Sequence, residues 1–149
     1  MTTAAASSPG PWAKGLGYGG LIPFAGLAAA ICLLGPADRA RSTHALLGYG
    51  ATILSFLGAI HWGLAMRDAA ALSRGLLLWG VVPSLVAWVA LLINPIAGLC
   101  LVAAGLWACF AVDWVVYRRL GVQAWLPMRL LLTVVASVCC IAGAVGGMR

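Results

Sequence analysis

The chain has 149 residues, of which 64% are hydrophobic and only 8% are charged, and its mean hydropathy is +1.06. These values exclude an ordinary soluble domain, in which about 25% of residues are charged. The formal net charge is +6, but the basic residues lie singly or in pairs at the ends of apolar runs. That distribution is typical of loops beside membrane helices, so we do not expect nucleic acid as a partner.

The N-terminal region combines a polar segment with a long apolar run. Residues 1–14 are rich in Thr, Ala, Ser, Pro and Gly, and we predict a disordered tail there. The run from Leu16 to Leu34 predicts the first membrane helix. A cleaved signal peptide is the alternative, but this segment has a single lysine and the run is long for a signal peptide. The membrane domain is therefore expected over residues 15–147.

The second apolar run, residues 45–66, contains small residues at helical spacing. Small side chains let the backbone of another membrane helix approach closely, because packing replaces the hydrophobic effect as the driving force in lipid. We expect the other helices to pack around this one. The predicted helix-packing residues are Gly50, Ser55, Gly58 and Ala59.

Three further apolar runs follow, from Gly75 to Ile93, from Ile96 to Tyr117 and from Met128 to Val145. Pro83 interrupts the first of them and is expected to act as a hinge, with Ser84 placed to bond a freed carbonyl. Each run is long enough to cross a bilayer as a helix. The predicted fold is an all-α polytopic bundle of five transmembrane helices.

A layer of polar side chains is predicted near one end of this bundle. His61 and Asp113 each lie four or five residues before the end of a helix, so both are roughly 6–7 Å deep at 1.5 Å per residue. An ionisable side chain at that depth should face the bundle. The other residues expected at this level are Tyr18, Trp62, Trp79, Trp114 and Arg129.

Two interpretations of this layer are open. In the structural one, Asp113 pairs with Arg129, with His61 or with Arg118, and the tryptophans form an interfacial belt. In the functional one, His61 and Asp113 relay a proton or hold the polar head of a lipid, because ionisable residues inside membranes are functional candidates.

Signals for an enzyme are weak. The five cysteines lie within apolar runs without CxxC spacing, and we interpret them as packing residues. There is no phosphate loop, no HExxH and no Ser-His-Asp set at convincing spacing. His44 and His61 are too far apart on one helix to hold a haem. We therefore expect no catalytic residues, no metal and no resident cofactor, and we do not assign an enzymatic activity.

The stretch Gly-Tyr-Gly-Ala-x-Ile-Leu-Ser-Phe-Leu-Gly-Ala-Ile-His-Trp-Gly-Leu-Ala at 48–65, with Val-Pro-Ser-Leu-x-Ala-Trp at 82–88, resembles the transmembrane protein 69-like family. Asp113 and the Trp-x3-Arg-x3-Thr pattern at 125–133 are similar to its C-terminal part. These are small bacterial and mitochondrial membrane proteins whose shared domain has no assigned function. The resemblance implies a compact helical protein of the bacterial inner membrane, and it supplies no reaction.

Hypotheses from three functional classes follow. The leading one is a protein that acts through helix contacts with membrane lipids, with another membrane protein or with a second copy of itself. The first alternative is a binder or oxidoreductase of a quinone-like lipid that uses His61 and Asp113. The second is a small proton-coupled transporter in which Pro83 is the hinge.

The orientation in the membrane follows from the basic residues. Five spans place the termini on opposite sides, and the side with more Lys and Arg in short loops is the cytoplasmic one. The side that holds the N-terminus has Lys14, Arg67, Arg74, Arg118, Arg119 and Arg129, whereas the opposite side has Arg39, Arg41 and Arg149. We predict a cytoplasmic N-terminus and an external C-terminus.

Reporter fusions test this topology. Fusions after Leu34 and Asn94 should report an external location, and fusions after Arg74 and Arg119 a cytoplasmic one. An external signal at Arg74 would contradict the predicted orientation.

Overall fold

The structure, a computed structural model, describes residues 8–67 and 74–149. All regular secondary structure in these ranges is helical, and five segments are long and apolar enough to cross a membrane, as the sequence predicts. The first span is a broken helix, and a short 3-10 turn, Gln123–Trp125, leads into the last. The helices are α1 (Pro11–Gly19), α2 (Leu21–Leu33), α3 (Pro36–Arg67), α4 (Arg74–Leu92), α5 (Pro95–Arg119) and α6 (Leu126–Gly147).

The first span begins at Pro11, earlier than the predicted boundary between the tail and the membrane domain at residues 14 and 15. Residues 1–7 lie outside the described residues, but α1 begins at Pro11, after Gly10 in an extended conformation. Proline suits a first helical turn because its missing N–H would have no partner there. The helix then breaks at Gly20, whose carbonyl accepts a hydrogen bond from the Tyr49 hydroxyl at 2.8 Å.

The second span also begins earlier than expected, at Pro36. Only two residues separate α2 from α3. The Arg39 side chain stabilises this connection by donating to the carbonyls of Ile31 at 3.2 Å and Leu34 at 3.3 Å. These bonds satisfy carbonyls at the C-terminal end of α2, which have no partner within the helix. His44 therefore lies two turns inside α3 and is exposed.

The long helix α3 is at the centre of the fold and packs against α2, α4, α5 and α6. Of the four residues predicted for its packing face, Gly50 and Gly58 are buried. Ser55 is only half-buried and Ala59 is exposed. These two residues therefore differ from the prediction.

The contact between α3 and α4 depends on two glycines. A Cβ atom built on Gly58 would collide with the Gly80 carbonyl oxygen, and one on Gly80 would lie 2.6 Å from the Trp62 ring. The backbones can approach this closely only because neither residue has a side chain. Pro83 is buried against the same contact and removes one backbone hydrogen bond within α4, and Ser84 beside it is half-buried.

Gly58→Ala should push α3 and α4 slightly apart, because the added methyl group meets the Gly80 backbone. We expect the free energy of unfolding to fall by roughly 1–3 kcal/mol, the usual cost of overpacking. Gly63→Ala is the matched control on the same helix, because a Cβ atom there would meet nothing within 4 Å. Thermal unfolding in detergent measures both. Equal stability of the two variants would contradict this account of the contact.

Candidate functional site

The polar site is built around an ion pair between the ends of α5 and α6. Asp113 lies near the end of α5 and Arg129 in the first turn of α6, so the short connection brings them to one level. The Arg129 guanidinium donates through Nε at 2.9 Å and Nη2 at 2.6 Å, both to Asp113 Oδ2. The two residues are only 1% and 8% exposed. Charges buried so deeply are tolerated because they are paired and hydrogen-bonded.

His61 of α3 completes the centre of the site. Its Nε2 atom lies 3.6 Å from Asp113 Oδ1, slightly longer than a hydrogen bond. Neither ring nitrogen has a hydrogen-bond partner among the described residues. His61 and Asp113, which were predicted to be neighbours, therefore lie close together. The carboxylate accepts its hydrogen bonds from Arg129, through Oδ2.

The aromatic residues predicted for this layer lie farther out. Tyr18, Trp62 and Trp114 are each more than 40% exposed, whereas Trp79 is half-buried and its Nε1 has no partner among the described residues. The alternative in which Asp113 pairs with Arg118 is wrong. Five residues along a helix turn the side chain about 140° away, and the Arg118 guanidinium instead lies over the Trp114 ring at 4.0 Å.

Two further polar residues, Tyr117 and Thr133, were not predicted as members of the polar layer. Tyr117 is 6% exposed and lines the same cavity as Arg129. Thr133 is 2% exposed, and its hydroxyl has no partner among the described residues. Each lies four residues after a member of the ion pair, and residues at that spacing share a helix face. That spacing could have identified them.

These residues border a cavity of about 610 Å³ between the first span, α3 and α6. Arg129 is its one charged lining residue within the described chain, and Tyr117 and Thr133 are beside it. His61 and Asp113 do not line it. The walls from α1, α2 and α3 are almost entirely apolar, namely Ala13, Leu16, Gly17, Gly20, Leu21, Phe24, Ile53, Phe56, Leu57, Ile60 and Leu64.

Within the described chain, α1 and α3 both line the cavity but are not packed against each other, which leaves a gap between them. Among the described residues, no part of α1 approaches α3 as closely as it approaches α2 and α6. Leu16 and Phe56, one from each side of the gap, are 76% and 62% exposed. A second hollow, of about 630 Å³, lies away from the ion pair on the outer side of α5 and α6 and is lined by Trp114 and Arg118.

The site therefore combines hydrogen-bonding groups and a buried ion pair with a largely apolar cavity. Among the described residues, no group of three or more His, Cys, Asp or Glu side chains is arranged to hold a metal ion.

A family profile described as "Protein of unknown function (DUF3429)" matches residues 10–145. The chain belongs to this family. The DUF3429 chain is also 34% identical to Transmembrane protein 69 of Xenopus tropicalis over 129 residues, which cover 81% of the chain and 49% of that relative. The resemblance identified in the sequence is thus confirmed, and the chain spans about half the length of this curated relative. No solved structure shows a significant match.

Double-mutant cycles in this DUF3429 protein should rank the two contacts of Asp113. Combining Asp113→Asn with Arg129→Met should give a coupling energy of about 2–3 kcal/mol, because either single change leaves a buried group without its partner. Combining Asp113→Asn with His61→Leu should give only about 0.6 kcal/mol, typical of polar contacts between membrane helices.

Thermal unfolding in detergent measures all variants on one scale. A larger coupling through His61 than through Arg129 would contradict the order of the two contacts.

Proposed function

We propose that this multi-pass membrane protein binds an amphipathic lipid in the cavity between the first span, α3 and α6. The observation that carries the proposal is the composition of that cavity. Its volume of about 610 Å³ is within the range of small-molecule sites, which are mostly apolar with a few polar groups that orient the ligand. Here the polar groups, Tyr117, Arg129 and Thr133, lie together on α5 and α6.

The layout suits a molecule with a polar head and an apolar tail. Arg129 lies in the first turn of α6, while Ala136 lines the cavity farther along the helix. Seven residues of helix correspond to about 10 Å, so the tail would extend along apolar walls toward the membrane centre. Entry would be sideways from the bilayer, through the gap between α1 and α3.

A quinone-like lipid, with or without redox chemistry, is one molecule of this kind. The groups that would meet it are Arg129, Tyr117 and Thr133. Asp113 would hold the guanidinium from outside the cavity, and His61 lies beside the carboxylate. This changes the sequence-based hypothesis, in which His61 and Asp113 themselves contact the lipid. A transporter with Pro83 and Ser84 as its hinge has no comparable support, because Pro83 is buried against Gly58.

The proposal includes a bacterial inner membrane with the N-terminus in the cytoplasm. Arg129 forms a buried ion pair and no longer counts as a loop charge, which leaves five basic residues on the N-terminal side against three on the other. The excess still favours the same orientation. The polar end of the cavity would then lie in the cytoplasmic half of the bilayer.

Ala136→Phe should remove the lipid by filling the deep end of the cavity. Ala142→Phe is the matched control, because Ala142 is exposed on the same helix and does not line the cavity. The measurement is the amount of lipophilic molecule per protein, by mass spectrometry of organic extracts after gentle purification. Wild type and Ala142→Phe should carry about one equivalent of a specific lipid, and Ala136→Phe much less.

Circular dichroism and thermal unfolding establish that both variants are folded. The proposal fails if wild-type protein carries only bulk phospholipid, or if folded Ala136→Phe retains as much of the specific molecule as the control. A protein chain that co-purifies stoichiometrically in place of lipid would favour a membrane-protein partner or a homo-oligomer instead.

A further inference from the structure

We infer that the cavity selects an uncharged lipid whose head group carries carbonyl oxygens, and that it discriminates against anionic head groups. This inference rests on the proposed function, since it concerns the head of the same lipid. Two independent features of the site carry it, namely its charge balance and its unused hydrogen-bond donors.

The charge balance comes from the ion pair. Arg129 is the charged residue that lines the described cavity, and its two donors at 2.9 and 2.6 Å are directed at the Asp113 carboxylate behind it. The pair therefore has no net charge. A phosphate head would lose its hydration without meeting an unmatched cation, and an ammonium head would meet no unmatched carboxylate. Buried charges without partners are strongly disfavoured.

The hydrogen-bond donors come from two hydroxyl groups. Thr133 lines the cavity with a hydroxyl that is buried and without a partner in the described chain, which is uncommon for a polar atom in a folded protein. Tyr117 lines the same cavity as Arg129 and Thr133, and its phenolic O–H is a second hydroxyl that can donate a hydrogen bond. A carbonyl oxygen is a neutral acceptor with two lone pairs, so one such oxygen can accept from two donors.

Arg129 adds to this preference. A guanidinium has five N–H donors, and Asp113 accepts one from Nε and one from Nη2 in the observed bonds. The remaining N–H groups can meet the same head group without a change in net charge. The site thus combines several donors with electrical neutrality, which suits the ester carbonyls of an acylglycerol or the ring carbonyls of a quinone.

Two probes with identical tails test the inference. Dioctanoylglycerol has an uncharged head with two ester carbonyls, and dioctanoylphosphatidate adds an anionic phosphate to the same chains. Binding of each to the full-length protein can be measured by native mass spectrometry from detergent. We expect the dissociation constant of dioctanoylglycerol to be at least about tenfold lower, a difference of about 1.4 kcal/mol. A short-tailed benzoquinone, compared in the same way, distinguishes ring carbonyls from ester carbonyls.

Variants link the preference to the named groups. Thr133→Val keeps the shape of the side chain and should weaken dioctanoylglycerol binding about fivefold, the effect of one lost hydrogen bond. It should not destabilise the protein, because the hydroxyl it removes has no partner in the described structure. Thr52→Val is the matched control, since Thr52 is exposed on α3 and its hydroxyl bonds the Gly48 carbonyl. Asp113→Asn should shift the preference toward dioctanoylphosphatidate, because it leaves the Arg129 charge unbalanced.

The outcomes separate this inference from the proposed function. Equal or tighter binding of dioctanoylphosphatidate to wild-type protein, sensitive to Ala136→Phe, would overturn the neutral-head inference and leave lipid binding in place. An unchanged affinity of folded Thr133→Val for dioctanoylglycerol would also overturn it. If neither the glycerol, the phosphatidate nor the quinone probe binds, both the inference and the proposed function fail.

Discussion

The ion pair between Asp113 and Arg129 is the constraint on which the rest of the site depends. A carboxylate and a guanidinium that are 1% and 8% exposed inside an apolar bundle are each tolerated only because the other is present. The pair therefore sets the rotation of α5 and α6 about their axes. With that rotation, Tyr117 and Thr133, one turn farther along each helix, face inward beside it. The Arg129 guanidinium lines the cavity and Asp113 does not. The guanidinium therefore links the ion pair to the cavity in which a ligand would bind.

The small residues of α3 determine how closely the remaining helices approach this pair. Gly58 allows α4 to pack backbone against backbone, and His61, one turn later, then lies 3.6 Å from the Asp113 carboxylate. The first span is attached differently. The Tyr49 hydroxyl donates a hydrogen bond to the Gly20 carbonyl at the break. The helix α1, which precedes the break, has no buried residues. Because α3 packs tightly against α4 but not against α1, a cavity remains between the first span, α3 and α6.

The ion pair and the cavity give this DUF3429 chain a site whose chemistry can be described, although the family itself has no known function. The polar end of the cavity has donors but no net charge, and the remaining walls are apolar. Such a site would hold a lipid by its head while the tail remains in a hydrocarbon-like environment. The buried histidine contributes from outside the cavity, as a neighbour of the carboxylate. Any effect of His61 on a bound molecule would therefore be transmitted through Asp113 and Arg129.

The sequence by itself determined the membrane class, the five spans and the family resemblance, because these depend on local runs of apolar residues and on short motifs. Helical rise also placed His61 and Asp113 at a similar depth before any contact was known. Only the tertiary structure decided that Asp113 binds Arg129 and not Arg118, that Ala59 is exposed, and that Tyr117 and Thr133 face a cavity. These features depend on the rotation of each helix and on spacing between helices that are distant in sequence. In a membrane protein all faces of a helix can be apolar, so hydrophobic periodicity carries little information about that rotation.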